Sequence, residues 1–581
     1  MLGAVRDAYY SLLKTWLDAL LPYQVDMPFD ASLDGGILCP ACSMMHGRSH
    51  EAVYPLLCMA DLSGEEKYLT AARKLLRWSE YMICDDGSFY NDSQSDWSGI
   101  TVFAALSLLK ALKYHARLLS KAELDTAQTR LRRACEWIGG NIVPERRLNI
   151  NYVCAGAAAL AAAARHFSDD RYLLQAKALG DVALDCISED GLLYGEGTPV
   201  KRVTAQGVRP VDIGYNVEES LPCLYEYALE ADDKEMKQAV TRLAEAHLKL
   251  MLPDGAWDNS FGTRNFKWTY WGGRTSDGCQ ALFNAMGKQN PVYAEAALRN
   301  LELMERATDG LLYGGLDYKA HGEKPCTHHA LCHAKALAQA LDEGVCEFAR
   351  LSLPSDKPFS AHFYRELNVY RAARGKWRMT VSSGDFAYMR GGCASGGVMT
   401  LLWHAGYGPV IASANTDYSL KEAHNQQLSR RKAEHQCVCA RLEADGLSQM
   451  YDYGAALSCK SESGKDTFTV RGVLSDIDHA RTEGAAFDIQ YIFDETGVTV
   501  KAQAASACRF ILPIVCEWEK TEQVDSHRML FSKNGAAIQL TTSAPMLDVS
   551  RVFNLAPGFC CARIVIGPDK ENRLSFFISA L

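Results

Sequence analysis

The chain has no run of about 18 consecutive apolar residues, the length that a helix needs to cross a bilayer. Its first residues lack a charged start followed by an apolar core, so we expect no secretory signal peptide. Positive charge is in deficit: 61 Lys and Arg against 70 Asp and Glu leave a net charge of −9. This balance argues against a nucleic-acid-binding protein that works by bulk electrostatics. We therefore expect a cytoplasmic protein whose partners include neither nucleic acid nor membrane.

Cysteine is plentiful, but its distribution is not that of a disulfide framework. The 20 cysteines are scattered through helical and strand-like segments of a 581-residue chain. In a chain of this size the pattern favours free thiols in a reducing compartment. The composition, 48% hydrophobic and 23% charged, is that of a globular protein with room for roughly two to four domains.

A short motif recurs in the first 350 residues: Asp-Gly followed by an aromatic residue. It begins at positions 86, 190, 254 and 309, so the intervals are 104, 64 and 55 residues. The long interval is close to two of the short ones, which indicates stacked units of one supersecondary structure. Each motif follows one helical run and precedes another, and Asp-Gly is a turn signal. The sequence therefore predicts stacked helix hairpins.

The hydrophobic periodicity changes from helical to strand-like near position 350. Six hairpins of about 55 residues account for the helical part. Residues 351–360 contain two prolines and read as a linker, and residues 361–581 contain short β-prone segments between turn residues. We predict a multidomain α-then-β chain. An (α/α)6 toroid spans residues 1–350, and an antiparallel β-sandwich follows the linker.

Four stretches of this chain resemble a known enzyme family. They are Gly36–Cys42 (GILCPAC), Asn149–Tyr152 (NINY), Gly214–Pro222 (GYNVEESLP) and Thr263–Gly272 (TRNFKWTYWG). Together with the toroid and sandwich, they resemble the carbohydrate-active enzymes of the heparinase II/III type. Within that group they look most like the β-glucuronidases of glycoside hydrolase family 154. The resemblance implies an enzyme that acts on uronic-acid-containing oligosaccharides.

Residues 257–277 carry the densest group of chemically active side chains. Aromatic faces stack on sugar rings and arginine forks bind carboxylates, and a uronic acid needs both. The predicted substrate-binding residues of this loop are Arg264, Lys267, Trp268, Tyr270, Trp271 and Arg274. The structural alternative is an ordered loop whose aromatic residues cap the helix ends.

Carboxylates near predicted helix starts are the candidate catalytic groups. Asn216 reads as a helix N-cap, which places Glu218 and Glu219 in the first turn beside the substrate contact Tyr215. Asp277 reads as the second carboxylate of a hydrolase pair. The structural alternative is that these acids interact only with helix dipoles. Two further acids, Asp212 and Asp258, are weaker candidates.

Histidines open the last predicted helix of the toroid. His329 and His333 are four residues apart and share a helix face. No glutamate lies between them as a zincin would require, so we expect His329 to carry a proton and His333 to contact substrate. Polar packing at the helix start is the alternative.

The segment Cys39–Cys42 is followed closely by His46 and His50. This spacing suits a zinc knuckle or a redox pair. A zinc site normally joins two separated ligand pairs, however, and here all four residues lie together. We therefore expect no metal and no cofactor. His46 and Arg48 are instead predicted to contact substrate.

The pair Asn151 and Tyr152 supports a different reaction. In heparinase-like lyases an Asn neutralises the uronate carboxylate while Tyr and His move protons, and these two residues fit such roles by resemblance. Helix capping by the asparagine is the structural alternative. In the β-domain, Trp403, His404 and the segment His424–Gln426 are weaker candidates for the edge of the cleft.

From these residues the leading hypothesis is an exo-acting glycoside hydrolase. It would release terminal β-linked glucuronic acid from oligosaccharides by carboxylate acid-base catalysis. The alternative is a uronate lyase of the heparinase II/III type that acts by β-elimination. A non-catalytic carbohydrate-binding protein is a third hypothesis, and the sequence leaves a homo-oligomer open.

Overall fold

The protein is described here by a computed structural model that covers residues 3–92, 97–197, 203–386, 388, 394–414, 438–505 and 507–581. Its first part is a double ring of helices. The outer helices are α1 (Ala4–Leu20), α3 (Glu66–Trp78), α5 (Lys121–Asn141), α7 (Asp170–Leu184), α10 (Lys234–Leu248) and α12 (Pro291–Arg306). The inner helices are α2 (Val53–Ser63), α4 (Thr101–His115), α6 (Ile150–Phe167), α9 (Leu221–Glu230), α11 (Gln280–Gly287) and α14 (Thr327–Glu343). Two short helices, α8 (Ile213–Tyr215) and α13 (Tyr318–His321), lie in the connections.

The two layers differ in how much of each helix is buried. Outer helix α3 buries one stripe, from Tyr68 through Ala72 to Leu76, and exposes the opposite face. Inner helix α14 is buried at every position from Thr327 to Leu341, because neighbours surround it on all sides. Each inner helix packs on the next, and α14 closes the ring against α2.

The alternation of inner and outer helices gives the inner helices a common direction. Every outer helix returns the chain, so the inner helices begin at the same end of the ring. Their N-terminal dipoles therefore add a positive potential at that end, which favours anionic groups.

The Asp-Gly motifs form tight hairpins after outer helices. The four glycines, Gly87, Gly191, Gly255 and Gly310, have φ between +71° and +89°. The last hairpin pairs β1 (Thr308–Asp309) with β2 (Leu311–Leu312), and the others are closed by single bridges. A Cβ at Gly255 would lie 2.3 Å from the backbone oxygen of Arg299 on the adjoining outer helix, so the turn also needs a small residue.

In the residues that the structure describes beyond position 358, the chain forms antiparallel β structure in two sheets. The smaller sheet has the order β3 (Phe359–Tyr364), β4 (Val369–Arg374), β5 (Trp377–Ser382), β6 (Val398–His404) and β7 (Gly408–Ala412). The larger contains β8 (Arg441–Ala444), β9 (Leu447–Ser448), β10 (Ala456–Glu462), β11 (Lys465–Ser475), β12 (Arg481–Asp494), β13 (Gly497–Ala504), β14 (Arg509–Val515), β15 (Thr521–Gln523), β16 (Arg528–Lys533), β17 (Ala536–Thr542), β18 (Met546–Asn554), β19 (Phe559–Ile566) and β20 (Arg573–Ala580). Apolar side chains from both sheets share one core. The predicted α-then-β fold is confirmed.

Polar contacts join the β-domain to the toroid at the end where the inner helices begin. Asp258 accepts hydrogen bonds from Nε of Arg371 at 3.0 Å and Oγ1 of Thr380 at 2.6 Å. Ser260 donates to Thr400 at 2.9 Å. Asp258 therefore links the two domains. Its carboxylate is completely buried, and these hydrogen bonds compensate for the water it has lost.

Among the described residues, no helix combines the length and the apolarity of a membrane span. The cysteines in these same segments all carry free thiols.

Candidate active site

A long helical segment beginning with α8 carries the central residues of the candidate site. Asp212 caps this segment, because its side chain accepts a hydrogen bond from the backbone nitrogen of Tyr215. A π-helical turn, Asn216–Ser220, then leads into α9. The prediction that Asn216 is the N-cap is wrong, since Asp212 starts the helix earlier. The buried Asn216 amide donates instead to the carbonyl of Leu193 at 2.8 Å.

Within the π turn, the Glu218 carboxylate contacts the loop that precedes α11. It accepts hydrogen bonds from the backbone nitrogen of Gly273 at 2.7 Å and from Oγ of Ser276 at 2.5 Å. Nε2 of His333 lies 3.5 Å from its other oxygen. A Cβ at Gly272 would lie 1.9 Å from this carboxylate. Glu218 is fully buried and holds the loop in place.

The neighbouring carboxylate, Glu219, contacts helix α6. Its Oε2 accepts a hydrogen bond from Nδ2 of Asn151 at 2.9 Å, and both side chains are buried. Burial, followed by the negative charge of Asp277, raises the pKa of Glu219 to about 8. The carboxyl group is therefore mostly protonated at neutral pH and available as a hydrogen-bond donor.

Asp277 takes part in a buried ion network rather than in the first turn of a helix. Helix α11 begins at Gln280, so the predicted helix-start position of Asp277 is wrong. Its carboxylate accepts from Nη2 of Arg48 at 3.3 Å and from Nζ of Lys335 at 2.8 Å. The Glu51 carboxylate accepts hydrogen bonds from the same two cations, from Nε of Arg48 at 2.7 Å and from Nζ of Lys335.

Sequence reasoning missed Glu51 and Lys335 in this network. Lys335 lies among small and apolar residues, between Ala334 and Ala336, on an inner helix, and a lysine in such a stretch was the available signal. Glu51 precedes α2 by two residues, and nothing local distinguishes it from a solvent-exposed acid.

The phenol of Tyr215 lies among three polar side chains. Its hydroxyl is 2.5 Å from Oγ1 of Thr275 and accepts a hydrogen bond from Nζ of Lys267 at 3.3 Å. The guanidinium of Arg264 lies over the ring, 4.3 Å from its centroid. The Lys267 ammonium at the hydroxyl and the Arg264 guanidinium over the ring place positive charge on two sides of this phenol.

Arg264 is held in place by an acid that sequence reasoning also missed. Its Nη1 donates to Oε1 of Glu196 at 2.6 Å, and the carboxylate is completely buried. Nδ2 of Asn149 donates to the same oxygen at 3.3 Å. Burial raises the pKa of Glu196, and the charge of Arg264 opposes that shift.

Tyr152 has surroundings of a different kind. Its ring packs edge-on against Trp97 at 5.1 Å between centroids and lies 5.9 Å from Phe103. Burial raises the pKa of the phenol above its ordinary value. Cations contact Tyr215, whereas aromatic rings pack against Tyr152.

Four further predicted substrate contacts of the loop are buried in packing positions. Nε1 of Trp268 donates to the carbonyl of Trp257, and Nε1 of Trp271 donates to that of Tyr313. The hydroxyl of Tyr270 donates to Asp254 at 2.8 Å. Arg274 donates to the hydroxyl of Tyr318 at 2.7 Å and to the carbonyl of Leu555 in the β-domain. These observed contacts are structural, and sugar binding by these residues stays a prediction.

The histidines of α14 lie behind the loop. His329 and His333 both pack edge-on against Trp271, at 5.8 and 4.6 Å between ring centroids. Nδ1 of His333 hydrogen-bonds to the carbonyl of His329. Burial, followed by the charge of Arg274, lowers the pKa of His329 well below its ordinary value. The ring of His329 is fully buried. Its role as a proton carrier stays a prediction.

The remaining predicted residues have varied surroundings. His46 lies between Cys42 and Asp92, and its imidazole is buried. In the β-domain, His404 packs against the ring of Trp377, and Trp403 donates to Asp254 at 3.4 Å. The segment 424–426 lies outside the described residues.

Most of the predicted polar residues fall in two hydrogen-bonded groups. The first is Asn151 with Glu219, whose pKa the negative charge of Asp277 helps to raise. The second runs from Asp277 through Arg48 to Thr275, whose carbonyl accepts from Arg48 at 2.6 Å. From Thr275 it continues through Tyr215 to the cations Arg264 and Lys267. The structure thus brings together residues that are up to 229 positions apart in the chain.

A toroid that begins its inner helices beside a β-domain places this chain in the class of heparinase-like proteins. The chain belongs to the ulvan lyase family. The model of the ulvan lyase N-terminal domain matches residues 13–353, and that of the C-terminal domain matches residues 361–580. The broad-specificity ulvan lyase of Formosa agariphila is 34% identical over 573 residues, which cover 94% of this chain and 89% of the relative.

Solved structures support the fold. A heparinase III aligns over 98% of this chain and 84% of its own length, with a TM-score of 0.51 and 11% identity. The chondroitin AC lyase of Streptomyces coelicolor A3, in complex with chondroitin sulphate, aligns over 99% of this chain and 79% of its own, with a TM-score of 0.52 and 9% identity. At these identities the likeness concerns the fold alone.

These comparisons overturn the predicted reaction. The hypothesis of a glycoside hydrolase, and of a β-glucuronidase in particular, is wrong, because the relatives are lyases. The heparinase-like architecture of the predicted resemblance is confirmed, whereas the family 154 assignment is not supported. Of the predicted catalytic acids, Glu218 holds a loop, Asp277 is bound by two cations, and Glu219 accepts a hydrogen bond from Asn151.

Proposed function

We propose that this protein is a polysaccharide lyase that cleaves an acidic, uronate-containing polysaccharide of the ulvan type by β-elimination. The observation that carries the proposal is the surroundings of Tyr215. Its hydroxyl accepts from the Lys267 ammonium, and the Arg264 guanidinium lies over its ring. The identity to a broad-specificity ulvan lyase over nearly the whole chain supports the substrate class.

The first requirement of the reaction is a more acidic proton at C5 of the uronate. The C5–H bond becomes more acidic when the neighbouring carboxylate is neutralised by hydrogen-bond donors. Asn151, at the start of α6, lies beside protonated Glu219, which is in the π turn. We assign them to the carboxylate of the substrate, where each supplies one donor.

The second requirement is a base. Tyr215, as a phenolate stabilised by Arg264 and Lys267, takes the C5 proton. The electron pair of the C5–H bond forms the C4–C5 double bond, and the bond from C4 to the glycosidic oxygen breaks. The departing oxygen takes up the proton that Tyr215 now holds. No water is consumed, so the new non-reducing end is unsaturated.

The third requirement is affinity for a polyanion despite the net charge of −9. The inner helix N-termini and the Lys267 ammonium supply positive potential at the site end of the toroid, where Arg264 and Arg48 are each paired with buried or half-buried acids. Local charge thus replaces bulk charge as the source of attraction.

The proposal is tested by incubating the purified full-length protein with ulvan and recording the ultraviolet absorbance of the new double bond. Mass spectrometry of the fragments is run in parallel. We expect absorbance to rise, and fragment masses to sum to that of the parent without added water. Fragments that have each gained water would overturn β-elimination, and an intact polymer would overturn the substrate class.

A matched pair of variants then tests the role of the base. Tyr215→Phe removes the hydroxyl beside the two cations, and Tyr152→Phe removes the one between Trp97 and Phe103. We expect the first to abolish the absorbance and the second to leave most of it. The reverse result would assign the base to Tyr152.

A further inference from the structure

A buried group of metal-binding side chains lies towards the end of the toroid away from the β-domain. Its members are Cys58 on α2, His115 on α4 and Asp342 on α14, and we call it the ring-closure cluster. Helices α2 and α14 are the first and last inner helices, so the cluster lies where the ring closes. Cys58 is fully buried, and the side chains of His115 and Asp342 are 2% and 8% exposed. The mechanism above uses none of them.

Electrostatics at this position favour a cation. Helices α2, α4 and α14 all end close to the cluster, and the C-terminal end of a helix dipole is negative. Two carboxylates add to these negative ends: Asp61 in the last turn of α2 and Asp342 in the last turn of α14. Asp342 is contacted by the Tyr54 hydroxyl, the Cys58 thiol and the His115 imidazole, none of which carries a permanent positive charge.

The spacing of the three side chains suits ligands of one metal ion. One ligand atom from each lies within 4.8 Å of the other two. Nε2 of His115 is 3.0 Å from Oδ2 of Asp342, and Sγ of Cys58 is 3.6 Å from Oδ1 of the same carboxylate. Zinc bonds of about 2.3 Å to sulfur and about 2.1 Å to nitrogen and oxygen separate tetrahedral ligands by about 3.4 to 3.6 Å. A small movement of the His115 ring away from Asp342 therefore makes room for the ion.

Two of the three side chains also have the outer partners that metal ligands need. Nδ1 of His115 lies 3.0 Å from Oδ2 of Asp61, which in turn accepts a hydrogen bond from Arg117. A carboxylate behind the imidazole is the usual outer partner of a histidine ligand, and it leaves Nε2 for the metal. The Tyr54 hydroxyl donates to Oδ2 of Asp342 at 2.7 Å and fixes that carboxylate.

We propose that Cys58, His115 and Asp342 bind one Zn²⁺ ion through Sγ, Nε2 and the carboxylate. Thiolate, imidazole and carboxylate are all zinc ligands, and a water molecule completes the tetrahedron. Binding displaces the thiol proton of Cys58, which the free protein retains because burial raises the pKa of that thiol. The ligands come from three helices and are up to 284 positions apart, so the ion ties α14 to α2 and α4 and stabilises the closed ring.

The test is elemental analysis of the full-length protein purified without chelator. We expect close to one equivalent of zinc per chain. Removal of the ion should lower the melting temperature, and its return should restore it. With Co²⁺ in place of zinc, a thiolate-to-cobalt charge-transfer band and intense tetrahedral d–d bands should appear. Protein without zinc that also gives no such bands with Co²⁺ would overturn the proposal.

Variants locate the ion. Cys58→Ser and His115→Ala should each lose the zinc, whereas Cys135→Ser, at a buried cysteine of outer helix α5, should retain it. Zinc retained by both cluster variants would place the ion elsewhere and overturn the proposal. Asp61→Asn keeps all three ligands and changes only the outer partner of His115, so zinc affinity should fall about tenfold to a hundredfold. Unchanged affinity in that variant would overturn the assignment of His115.

A protonated His115 that donates to both Asp61 and Asp342 is the competing state of the cluster. It places positive charge at the same point without a metal ion. Zn²⁺ added to the metal-free protein distinguishes the two states. A rise in melting temperature that Cys58→Ser does not show would support the zinc site, and an unchanged melting temperature in both proteins would overturn it.

Discussion

The two ends of the toroid both contain cavities and charged side chains, yet they differ in how the charges are placed. The end away from the β-domain has a cavity of about 420 Å³, lined among others by Lys113, Arg165 and Glu230. Glu230 accepts from both cations at 3.2 and 3.1 Å, but each cation remains 58% exposed. Water screens these pairs, so they contribute little to binding or stability.

Deeper in the ring, towards the β-domain, the adjoining cavity beneath Glu219 and Asp277 measures only about 30 Å³ and shares Lys110 and Glu226 with the larger one. The charges there are buried: Glu51 is fully enclosed, and Arg48 and Lys335 are 8% and 6% exposed. Charges that have lost their water interact strongly with one another and with a bound ion. Buried charge around the cavity, rather than cavity volume, therefore distinguishes the end of the toroid that carries the candidate active site.

The largest effect should come from removing the proposed base. Tyr215→Phe keeps the ring under Arg264 but leaves no group to take the C5 proton. We expect kcat on ulvan to fall by about a thousandfold, within the usual range for loss of a general base. The measurement is initial absorbance of the unsaturated product. A loss below about tenfold would show that the chemistry lies elsewhere.

Breaking the buried ion network should destabilise the protein strongly. Glu51→Gln leaves Arg48 and Lys335 without half of their negative partners, and the expected loss is about 3–5 kcal/mol in the free energy of unfolding. Urea unfolding measures the loss. The control is Glu302→Gln, whose partner Arg350 is 54% exposed. That variant should lose less than about 1 kcal/mol, and equal losses would contradict the contrast between buried and exposed charge.

Glu219 should make both activity and stability depend on pH. Its folded pKa of about 8 lies above the ordinary 4.5, so the folded state holds the proton more tightly between these values. Stability should therefore decrease as the pH rises through this window, and the protonated donor should be lost above about pH 8.

Glu219→Gln tests this dependence, because glutamine is a permanent donor without a titrating group. The variant should show a flatter stability profile from urea unfolding at about pH 5 and about pH 9. Its activity should persist to higher pH than that of the unmodified protein. Identical slopes in both proteins would show that Glu219 does not titrate in this range.

The smallest effect should come from the far end of the toroid. Lys113→Ala removes an exposed partner of Glu230. We expect unchanged activity on ulvan and a free energy of unfolding within about 0.5 kcal/mol of the starting protein. A clear loss of activity would assign a role to the larger cavity and would contradict the expectation that its exposed charges contribute little.

Local patterns carried the prediction of the fold. Helical periodicity, Asp-Gly turns and the change to β-prone segments near position 350 are properties of neighbouring residues, and the structure shows the same elements. The loop after α10 was predicted to bind substrate, but its aromatic residues Trp268, Tyr270 and Trp271 are buried, and sugar binding by them stays a prediction. Side-chain direction within a loop has no period, so the sequence pattern carries no information about it.

The functional roles of the predicted site residues stay predictions. The structure places seven of them near one another: Asn151, Tyr215, Arg264, Lys267, Arg48, Glu219 and Asp277. Glu51 and Glu196 were missed because neither differs from its sequence neighbours in any local pattern, and only their burial distinguishes them. Lys335 was missed although it stands among small apolar residues of α14. The distinction between Glu218 and Glu219 depends on the π turn, which rotates one carboxylate towards the loop and the other towards α6.

The sequence by itself determined the order of the elements and the kinds of side chain available, because periodicity and turn chemistry act over a few residues. The tertiary structure decided which of those side chains meet. Closure of the helical ring brings Arg48 to Asp277 and Cys39 to Cys326, contacts that span 229 and 287 positions. Desolvation and hydrogen bonding then act on groups brought together in this way, and both depend on distances that no local pattern encodes.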